Sequence, residues 1–336
     1  MKMDQYTYID LFSGAGGLSL GFSKRKFRNV FSVDIEPVFC KTYKTNFPNH
    51  KLIQQDITSI SNQEIVSLVG NTKVNVIIGG PPCQGFSMAG NVGRKFIDDP
   101  RNHLFNEFAR FISVIKPDVF LMENVARLYT HNKGKTREEI LYTFRALGYN
   151  TECRVLNVAD YGIPQIRSRI IFIGTRLQNG SIIFPPKKYN SDAYITIKDA
   201  IDDLPALKSG ESSIIPNHIA MKHSAQMLNK MSFVKDGGTK SDIPLDLRPL
   251  KGDARKYIRY NSSRPSVCVT GDMRKIFHYS QNRALTVREL ARIQTYPDDF
   301  VFEGSSIAQQ QQVGNSVPPL FAEVLAESIE EMLKNA

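Results

Sequence analysis

Short apolar runs alternate with stretches of helical period through the first half of the chain. The runs that have the length and β-branched content of strands lie at residues 8–12, 30–33, 51–53, 74–78, 119–122 and 170–173. Residues 102–115 and 137–147 carry apolar side chains at helical spacing. This alternation predicts an α/β fold with a doubly wound, mainly parallel sheet.

The pattern changes after Phe184-Pro185-Pro186, where glycine, proline, serine and asparagine separate short elements. This composition predicts a second, smaller domain with irregular structure. Within it, Thr286 and Glu289 have the spacing of a capping box, which predicts a helix over residues 286–295. A last helix is predicted from residue 320 to about residue 333.

The charge of the chain is concentrated in one segment. The 336 residues carry a net charge of +10, and residues 206–283 hold 14 Lys and Arg against 6 Asp and Glu. Such a local basic surface favours a polyanionic partner such as nucleic acid, because neutralised phosphates release condensed counterions. A solvated basic face without a partner is the alternative.

The four cysteines lie far apart, without the spacing of a disulfide framework or a zinc site. The chain begins without an apolar signal segment and has no run approaching about 18 uncharged apolar residues. We therefore expect a cytoplasmic protein without metal or membrane association. Cys40, Cys153 and Cys268 are expected to be small buried side chains.

Cys83 has a different setting, because it follows a predicted buried strand in the turn Gly79-Gly80-Pro81-Pro82-Cys83. Ligands of open α/β sheets bind at the carboxyl ends of the strands. A thiol fixed there is a candidate nucleophile. A small cysteine filling a gap in the core is the alternative.

The first three predicted strands end in residues that suit a nucleoside-containing cofactor. A glycine-rich turn, residues 10–18, follows the first strand, so backbone amides can approach a ligand closely. Asp34 ends the second strand, where such folds bind a ribose, and Asp56 ends the third. The alternatives are a tight structural turn or a dinucleotide site, a surface acid at Asp34 and a helix cap at Asp56.

Acidic and basic side chains follow on the same predicted edge. Glu123 ends the fifth strand after apolar residues, a setting that suits a proton donor. Arg167 and Arg169 are two residues apart and are expected on one side of an extended segment, where they could hold a phosphate and a base carbonyl. A capping role for Glu123 and surface ion pairs for the arginines are the alternatives.

The motifs taken in order resemble the DNA cytosine-5 methyltransferases of bacterial restriction–modification systems. The resemblance rests on residues 10–17, Asp34, Asp56, Pro81-Pro82-Cys83, Glu123-Asn124-Val125, Gln165–Arg169 and 312–319. It covers the chain except roughly residues 180–260. It implies a Rossmann-like S-adenosylmethionine-dependent methyltransferase domain at 1–180, an irregular target-recognition domain at 181–303, and a C-terminal segment at 304–336 that returns to the first domain.

The resemblance also implies the site residues. S-adenosylmethionine would lie against Phe12, Gly14, Gly16, Gly17, Leu18, Asp34, Ile35, Asp56, Ile57, Asn315 and Val317. The catalytic residues would be Cys83, Glu123, Arg167 and Arg169, with Cys83 attacking C6 of a flipped-out cytosine, Glu123 at N3 and Arg167 near O2. Double-stranded DNA would contact Gln84, Ser87, Arg255, Lys256, Arg259, Arg264, Arg274 and Lys275.

Three rival functions remain open at this stage. They are methylation of RNA by a branch of the same family, a DNA-binding regulator without catalysis, and a nicotinamide dehydrogenase. The segment Cys-Phe-Thr that marks the RNA branch is absent from the second domain, and a dehydrogenase explains neither Cys83 nor the basic segment. A monomer is expected, and a cognate restriction endonuclease is expected by analogy.

Overall fold

The computed structural model describes residues 6–82, 103–249 and 257–336. They form two compact units. The first unit comprises residues up to Asn157, Ser168–Pro186 and Phe321–Ala336. The second comprises Val158–Arg167 and Lys187–Leu320. The chain therefore passes between the units several times, and the segment expected to run from 304 to 336 is divided between them at residue 320.

A seven-stranded sheet forms the centre of the first unit in the described part of the chain. Its strands are β1 (Tyr6–Leu11), β2 (Phe27–Asp34), β3 (Leu52–Gln54), β4 (Val76–Gly79), β5 (Val119–Val125), β6 (Asn150–Asn157) and β7 (Ser168–Thr175). The spatial order is β3-β2-β1-β4-β5-β7-β6. Strands β1 to β5 are parallel, whereas β7 is antiparallel to both β5 and β6.

Helices pack against both faces of this sheet, because successive side chains of each strand point to opposite faces. The helices are α1 (Gly17–Ser23), α2 (Pro37–Asn46), α3 (Asn62–Val69), α4 (His103–Ile115), α5 (Lys135–Ala146) and α10 (Pro319–Lys334). Ile9 and Leu11 belong to a core cluster with apolar residues of α3, α4 and α5. Tyr8 points the other way and contacts Phe22 of α1. The predicted doubly wound, mainly parallel α/β architecture is confirmed.

The last helix is held to the first unit by ion pairs as well as apolar contacts. Arg25 Nη2 lies 3.1 Å from Glu330 Oε2, and Lys24 Nζ lies 3.8 Å from Glu323 Oε2. The carboxyl group of Glu330 is almost fully buried. Among the described residues, none of the helices combines the length and apolar character that crossing a lipid bilayer requires.

The second unit has short elements connected by irregular segments, as predicted. They are α6 (Ile197–Ile201), α7 (Ala225–Phe233), β8 (Ile258–Arg259), β9 (Ile276–Phe277), α8 (Val287–Ile293) and α9 (Ser306–Asn315). The predicted capping box is confirmed: Glu289 N donates to Thr286 Oγ1 at 3.2 Å, and Thr286 N donates to Glu289 Oε2 at 2.7 Å. Helix α8 consequently begins at Val287.

Candidate active site

The carboxyl ends of the parallel strands meet at one edge of the sheet in the first unit. Leu11 pairs with Val33 of β2 and with Gly79 of β4, and Gly79 pairs with Met122 of β5. The strand order reverses between β1 and β4, which is the position where open α/β sheets bind ligands. The glycine-rich turn and the segment leading to Cys83 therefore start side by side.

In the glycine-rich turn, every second residue from Phe12 to Gly16 has a left-handed backbone conformation. Phe12, Gly14 and Gly16 have φ values of 60°, 55° and 96°. A Cβ atom on Gly16 would overlap the ring of Phe47 and lie 3.0 Å from the ring of Tyr43. Only glycine fits at this position, for conformational and for steric reasons. Helix α1 then begins at Gly17, and Leu18 is buried behind the turn.

Asp34 joins the end of β2 to this turn. Its carboxylate accepts hydrogen bonds from Gly14 N at 2.7 Å and from Glu36 N at 2.9 Å. Burial raises the pKa of Asp34 despite these two bonds. The next side chain, Ile35, is 54% exposed although it is large and apolar. A carboxylate beside an exposed apolar side chain is suited to a ribose and its attached base.

Asp56 caps a turn of 3-10 helix, Ile57–Ser59. Its Oδ1 accepts hydrogen bonds from Thr58 N at 2.9 Å and from Thr58 Oγ1 at 2.8 Å. This is the capping role that the sequence left open, and it uses one of the two carboxylate oxygens. Ile57 is 4% exposed and packs in the core of the unit.

These residues fit a nucleoside cofactor. A Cβ atom added to Gly14 would meet nothing within 4 Å, so there is open space above the turn. Asp34 and the exposed Ile35 border the same turn through the bond to Gly14. The turn thus combines a carboxylate that can bind hydroxyl groups, an apolar side chain and an accessible backbone, which are the features that nucleoside binding requires.

A cluster of buried polar side chains lies next to the glycine-rich turn. Asp10 is fully buried and accepts a hydrogen bond from Ser19 Oγ at 2.7 Å, while its Oδ1 has no hydrogen-bond partner among the described residues. The hydroxyl groups of Ser19 and Tyr43 lie 2.8 Å apart, and Tyr43 Oη lies 3.0 Å from His50 Nδ1. Burial raises the pKa of Asp10 to about 7, and the nearby Asp34 adds to the rise.

Glu123 and Arg169 form an ion pair at the edge of the sheet. Arg169 Nε lies 2.8 Å from Glu123 Oε1, and the two side chains are 14% and 12% exposed. Glu123 Oε2 faces Gly80, where an added Cβ would lie 3.2 Å away. The carboxyl group is therefore held in a defined position beside the segment that leads to Cys83.

The proline turn is tied to β5 by an asparagine. Asn124 is 4% exposed, and its Nδ2 donates a hydrogen bond to Pro81 O at 3.1 Å. Sequence reasoning included Asn124 in a motif but assigned it no role. The predicted nucleophile Cys83 and the predicted DNA contacts Gln84 and Ser87 lie outside the described residues.

Comparison with known proteins decides the family. Residues 6–331 match the model of the family described as C-5 cytosine-specific DNA methylase. The chain belongs to this family. It is a DNA cytosine-5 methyltransferase of the type II restriction–modification kind.

Curated relatives of this methylase match it over nearly its whole length. The type II methyltransferase M1.HphI of Haemophilus parahaemolyticus is 61% identical over 98% of this chain and 88% of its own. M.DdeI of Desulfomicrobium norvegicum is 34% identical over 97% and 89%. These are the proteins to which the chain is similar in sequence.

Solved structures give the same result for the fold. A protein titled as a DNA modification methyltransferase of an E. coli prophage has a TM-score of 0.80 at 27% identity and covers 98% of this chain and 100% of its own. The methyltransferase EhMeth of Entamoeba histolytica has a TM-score of 0.72 at 19% identity and covers 98% and 99%. The second likeness concerns the fold alone.

Arg167 of the methylase differs from its neighbour Arg169. It belongs to the second unit and is 3% exposed. Its guanidinium group donates to Val269 O at 3.0 Å, Gly314 O at 3.0 Å and Ser316 O at 3.2 Å. The two arginines, which were expected to share one side of an extended segment, have different partners, because Arg169 instead pairs with Glu123 of the first unit.

One of the predicted DNA contacts in the second unit is wrong. Arg259 is 5% exposed, and its guanidinium group donates to four backbone carbonyl groups and to Asn282 Oδ1. A buried arginine with these partners supports the fold and is unable to reach a phosphate. Arg264 and Arg274 are exposed, and Lys275 lies over the ring of Tyr257. Arg255 and Lys256 lie outside the described residues.

The predicted cofactor residues Asn315 and Val317 belong to the second unit, at the end of α9 and just after it. Asn315 is exposed and Val317 is 7% exposed. Sequence reasoning included Gln165 in a motif without a role and missed Gln294; both glutamines are fully buried and are bonded to each other at 2.8 Å. Fully buried glutamines separated by more than a hundred residues leave no periodic signal in a sequence.

Proposed function

We propose that this methylase transfers a methyl group from S-adenosylmethionine to C5 of a cytosine that has rotated out of double-stranded DNA. The observation that carries the proposal is the Glu123–Arg169 ion pair, which faces Gly80 in the segment leading to Cys83. An acid held by a guanidinium group beside a predicted nucleophile suits the activation of a pyrimidine ring. Membership of the cytosine-5 family supports the same reaction.

The cofactor would be held mainly by the glycine-rich turn. Gly14, Gly16 and Gly17 leave its backbone accessible, and Phe12 and Leu18 border it. Asp34 would accept the ribose hydroxyl groups, with Ile35 and Ile57 against the adenine and Asp56 at its amino group. The family resemblance adds Asn315 and Val317 as further cofactor contacts. When bound, S-adenosylmethionine supplies an electrophilic methyl group.

Activation of the ring is the task of the protein's own side chains. Cytosine C5 is a weak nucleophile, and addition of the Cys83 thiolate to C6 would make it electron-rich. Negative charge then develops on the ring and is offset by a hydrogen bond to N3 from Glu123, whose carboxyl group has to carry a proton at this step. After methyl transfer a base removes the C5 proton, and the thiolate leaves.

The arginine near O2 is reassigned in this proposal from Arg167 to Arg169. Arg169 is bonded to Glu123, which is to contact the neighbouring ring atom N3. Arg167 instead donates to carbonyl groups of its own unit. We assign Arg167 the task of supporting the segment that carries Asn315 and Val317.

The second unit would bind the DNA. A stacked cytosine exposes neither C5 nor C6 to attack, so the base has to leave the helix at a cost of a few kcal/mol. The exposed side chains Arg264 and Arg274, together with Lys275, supply positive charge for phosphates. A cytoplasmic monomer that protects host DNA from a cognate endonuclease agrees with this reading, and sedimentation of a DNA-free dimer would contradict the monomer.

The test is transfer of labelled methyl groups from S-adenosylmethionine to unmethylated bacterial genomic DNA, followed by bisulfite sequencing. We expect protected cytosines within one short recurring sequence. Transfer to total RNA in place of DNA, or transfer to neither, would contradict the proposal. Cys83→Ser is expected to abolish transfer, and a control at a half-buried position of β6, Cys153→Ser, is expected to retain it.

A further inference from the structure

Four segments of the second unit are joined by a chain of hydrogen bonds through two buried glutamine side chains. Val269 N donates to Gln165 Oε1 at 2.8 Å, and Gln165 Nε2 donates to Gln294 Oε1 at 2.8 Å. Gln294 Nε2 then donates to Val313 O at 2.7 Å. Both glutamines are fully buried. The chain of bonds therefore connects the segment around Val269 with the end of helix α9.

The same two segments are also in direct contact. A Cβ atom on Gly314 would overlap the backbone of Thr270, so the two backbones touch. Met273 N donates to Gln310 Oε1 at 3.1 Å, and Gln310 is 3% exposed. Close backbone packing and buried hydrogen bonds make the two segments one rigid element.

Each segment carries residues that are proposed to contact a different ligand. Segment 266–275 ends in Arg274 and Lys275, which are proposed to contact DNA. The end of α9 carries Asn315, which is proposed to contact the cofactor and is exposed. The buried glutamines lie between these two sets and are too buried to touch either ligand.

We propose that Gln165, Gln294 and Gln310 are positioning residues that couple DNA binding at segment 266–275 to cofactor binding at Asn315 and Val317. The inference rests on the proposed function. A ligand that immobilises one segment immobilises the other through these bonds, so the second ligand loses less conformational entropy when it binds. Each ligand consequently tightens the binding of the other by the same factor.

The chain offers a matched pair of variants for the test. Gln310 and Gln312 are two residues apart on α9, and both are buried. Gln310 bonds to Met273 in segment 266–275, whereas Gln312 Nε2 donates to Glu303 O at 2.9 Å, outside it. Methionine has nearly the shape of glutamine without its amide group. Gln310→Met therefore removes a coupling bond, and Gln312→Met removes a comparable bond that is not part of the chain.

The measurement is the dissociation constant of S-adenosylhomocysteine by calorimetry, with and without a duplex that carries the sequence found by bisulfite sequencing. In the parent protein we expect the duplex to tighten binding about fivefold or more. Gln310→Met and Gln294→Met should reduce this factor to about one, while Gln312→Met should keep it. Far-ultraviolet circular dichroism identifies any variant that fails to fold, and the other coupling variant then decides.

Two results would overturn the inference and leave the proposed function standing. One is a parent protein that binds both ligands without any coupling. The other is a coupling factor that survives in Gln310→Met and Gln294→Met or falls equally in Gln312→Met. If the parent protein binds no S-adenosylhomocysteine at all, the proposed function itself fails, and the inference fails with it.

Discussion

Asn124 Nδ2 donates a hydrogen bond to Pro81 O at 3.1 Å and so connects β5 to the turn that leads to Cys83. The two residues are neighbours across the sheet, because Gly79 of β4 pairs with Met122 of β5. The position of the turn therefore depends on the strand that also carries Glu123. Two parts of the proposed site share one support.

Replacement of Asn124 by alanine should lower methyl transfer more than cofactor binding. Loss of the bond frees the turn, and small displacements of a reacting group cost about 10- to 100-fold in rate. We expect kcat to fall by this order while the affinity for S-adenosylhomocysteine stays within about twofold. Asn179→Ala is the control, since it removes an exposed bond to Asn335 O in the same unit. Equal rates for the two variants would show that the Asn124 bond does not position the turn.

Arg167 and Arg169 should respond differently to replacement by lysine. Arg169→Lys alters the ion pair with Glu123 and should lower kcat by about two orders of magnitude with little change in the unfolding midpoint. Arg167→Lys loses several bonds from a buried guanidinium group to carbonyl oxygens and should lower the free energy of unfolding by about 3 kcal/mol. Steady-state kinetics and urea unfolding of both variants would contradict the assignment if the two effects were exchanged.

Gly14 and Gly16 form a second matched pair. Alanine at Gly14 has open space, so only its left-handed backbone should lower the free energy of unfolding, by about 1 kcal/mol. Alanine at Gly16 has the same backbone cost and also overlaps Phe47, so it should destabilise the protein distinctly more. Thermal unfolding of the two variants checks this order. A larger loss for Gly14→Ala would mean that the turn is not packed on Phe47.

Asp10 should make the stability of the protein depend on pH. Its pKa is about 7 in the folded protein, against 3.8 for the free group. The folded protein thus holds this proton more tightly, and Asp10 lowers the free energy of unfolding as the pH rises from about 4 to about 7. Asp10→Asn removes this contribution, so its free energy of unfolding relative to the parent should rise over the same interval. Urea unfolding at pH 5 and pH 8 measures it, and parallel pH profiles would refute the assignment.

Glu289 and Arg283 form a buried ion pair in the second unit, with Nη2 and Oε1 2.6 Å apart. Glu289→Gln leaves a buried guanidinium group without its counter-charge and should cost about 3–5 kcal/mol. The exposed pair between Asp272 and Arg274 provides the comparison, and Asp272→Asn should leave the unfolding midpoint unchanged. Similar midpoints for both variants would show that burial does not strengthen the Glu289 pair.

The sequence predicted the parallel strands β1 to β5 because buried parallel strands are continuous apolar runs. It missed β6, whose residues Asn150–Asn157 are largely polar and lie at the edge of the sheet. The antiparallel direction of β7 was also not predictable, because an apolar run has no direction. Because β7 is antiparallel to β5, the beginning of β7 lies next to the end of β5, and this places Arg169 close to Glu123.

The number of basic residues in the second unit can be read from the sequence, but their exposure cannot. The basic excess of residues 206–283 was correctly counted, but Arg259 and Arg283 are buried and serve carbonyl groups and Glu289. A sequence shows the charge of a side chain and not the carbonyl groups that surround it. Asp34 ends β2 as predicted, whereas Glu123 was expected at the end of the fifth strand and is followed in β5 by two further residues, up to Val125.

The Glu123–Arg169 pair lies on two strands that are hydrogen-bonded to each other, with Arg169 opposite Val125 in the register. The separation of the two charged groups is therefore set by the sheet, and no loop contributes to it. Insertions, deletions or exchanges in the segments proposed to read DNA can alter the target sequence without moving this pair. A methylase built in this way can acquire a new specificity by replacing its loops while the geometry of this ion pair stays unchanged.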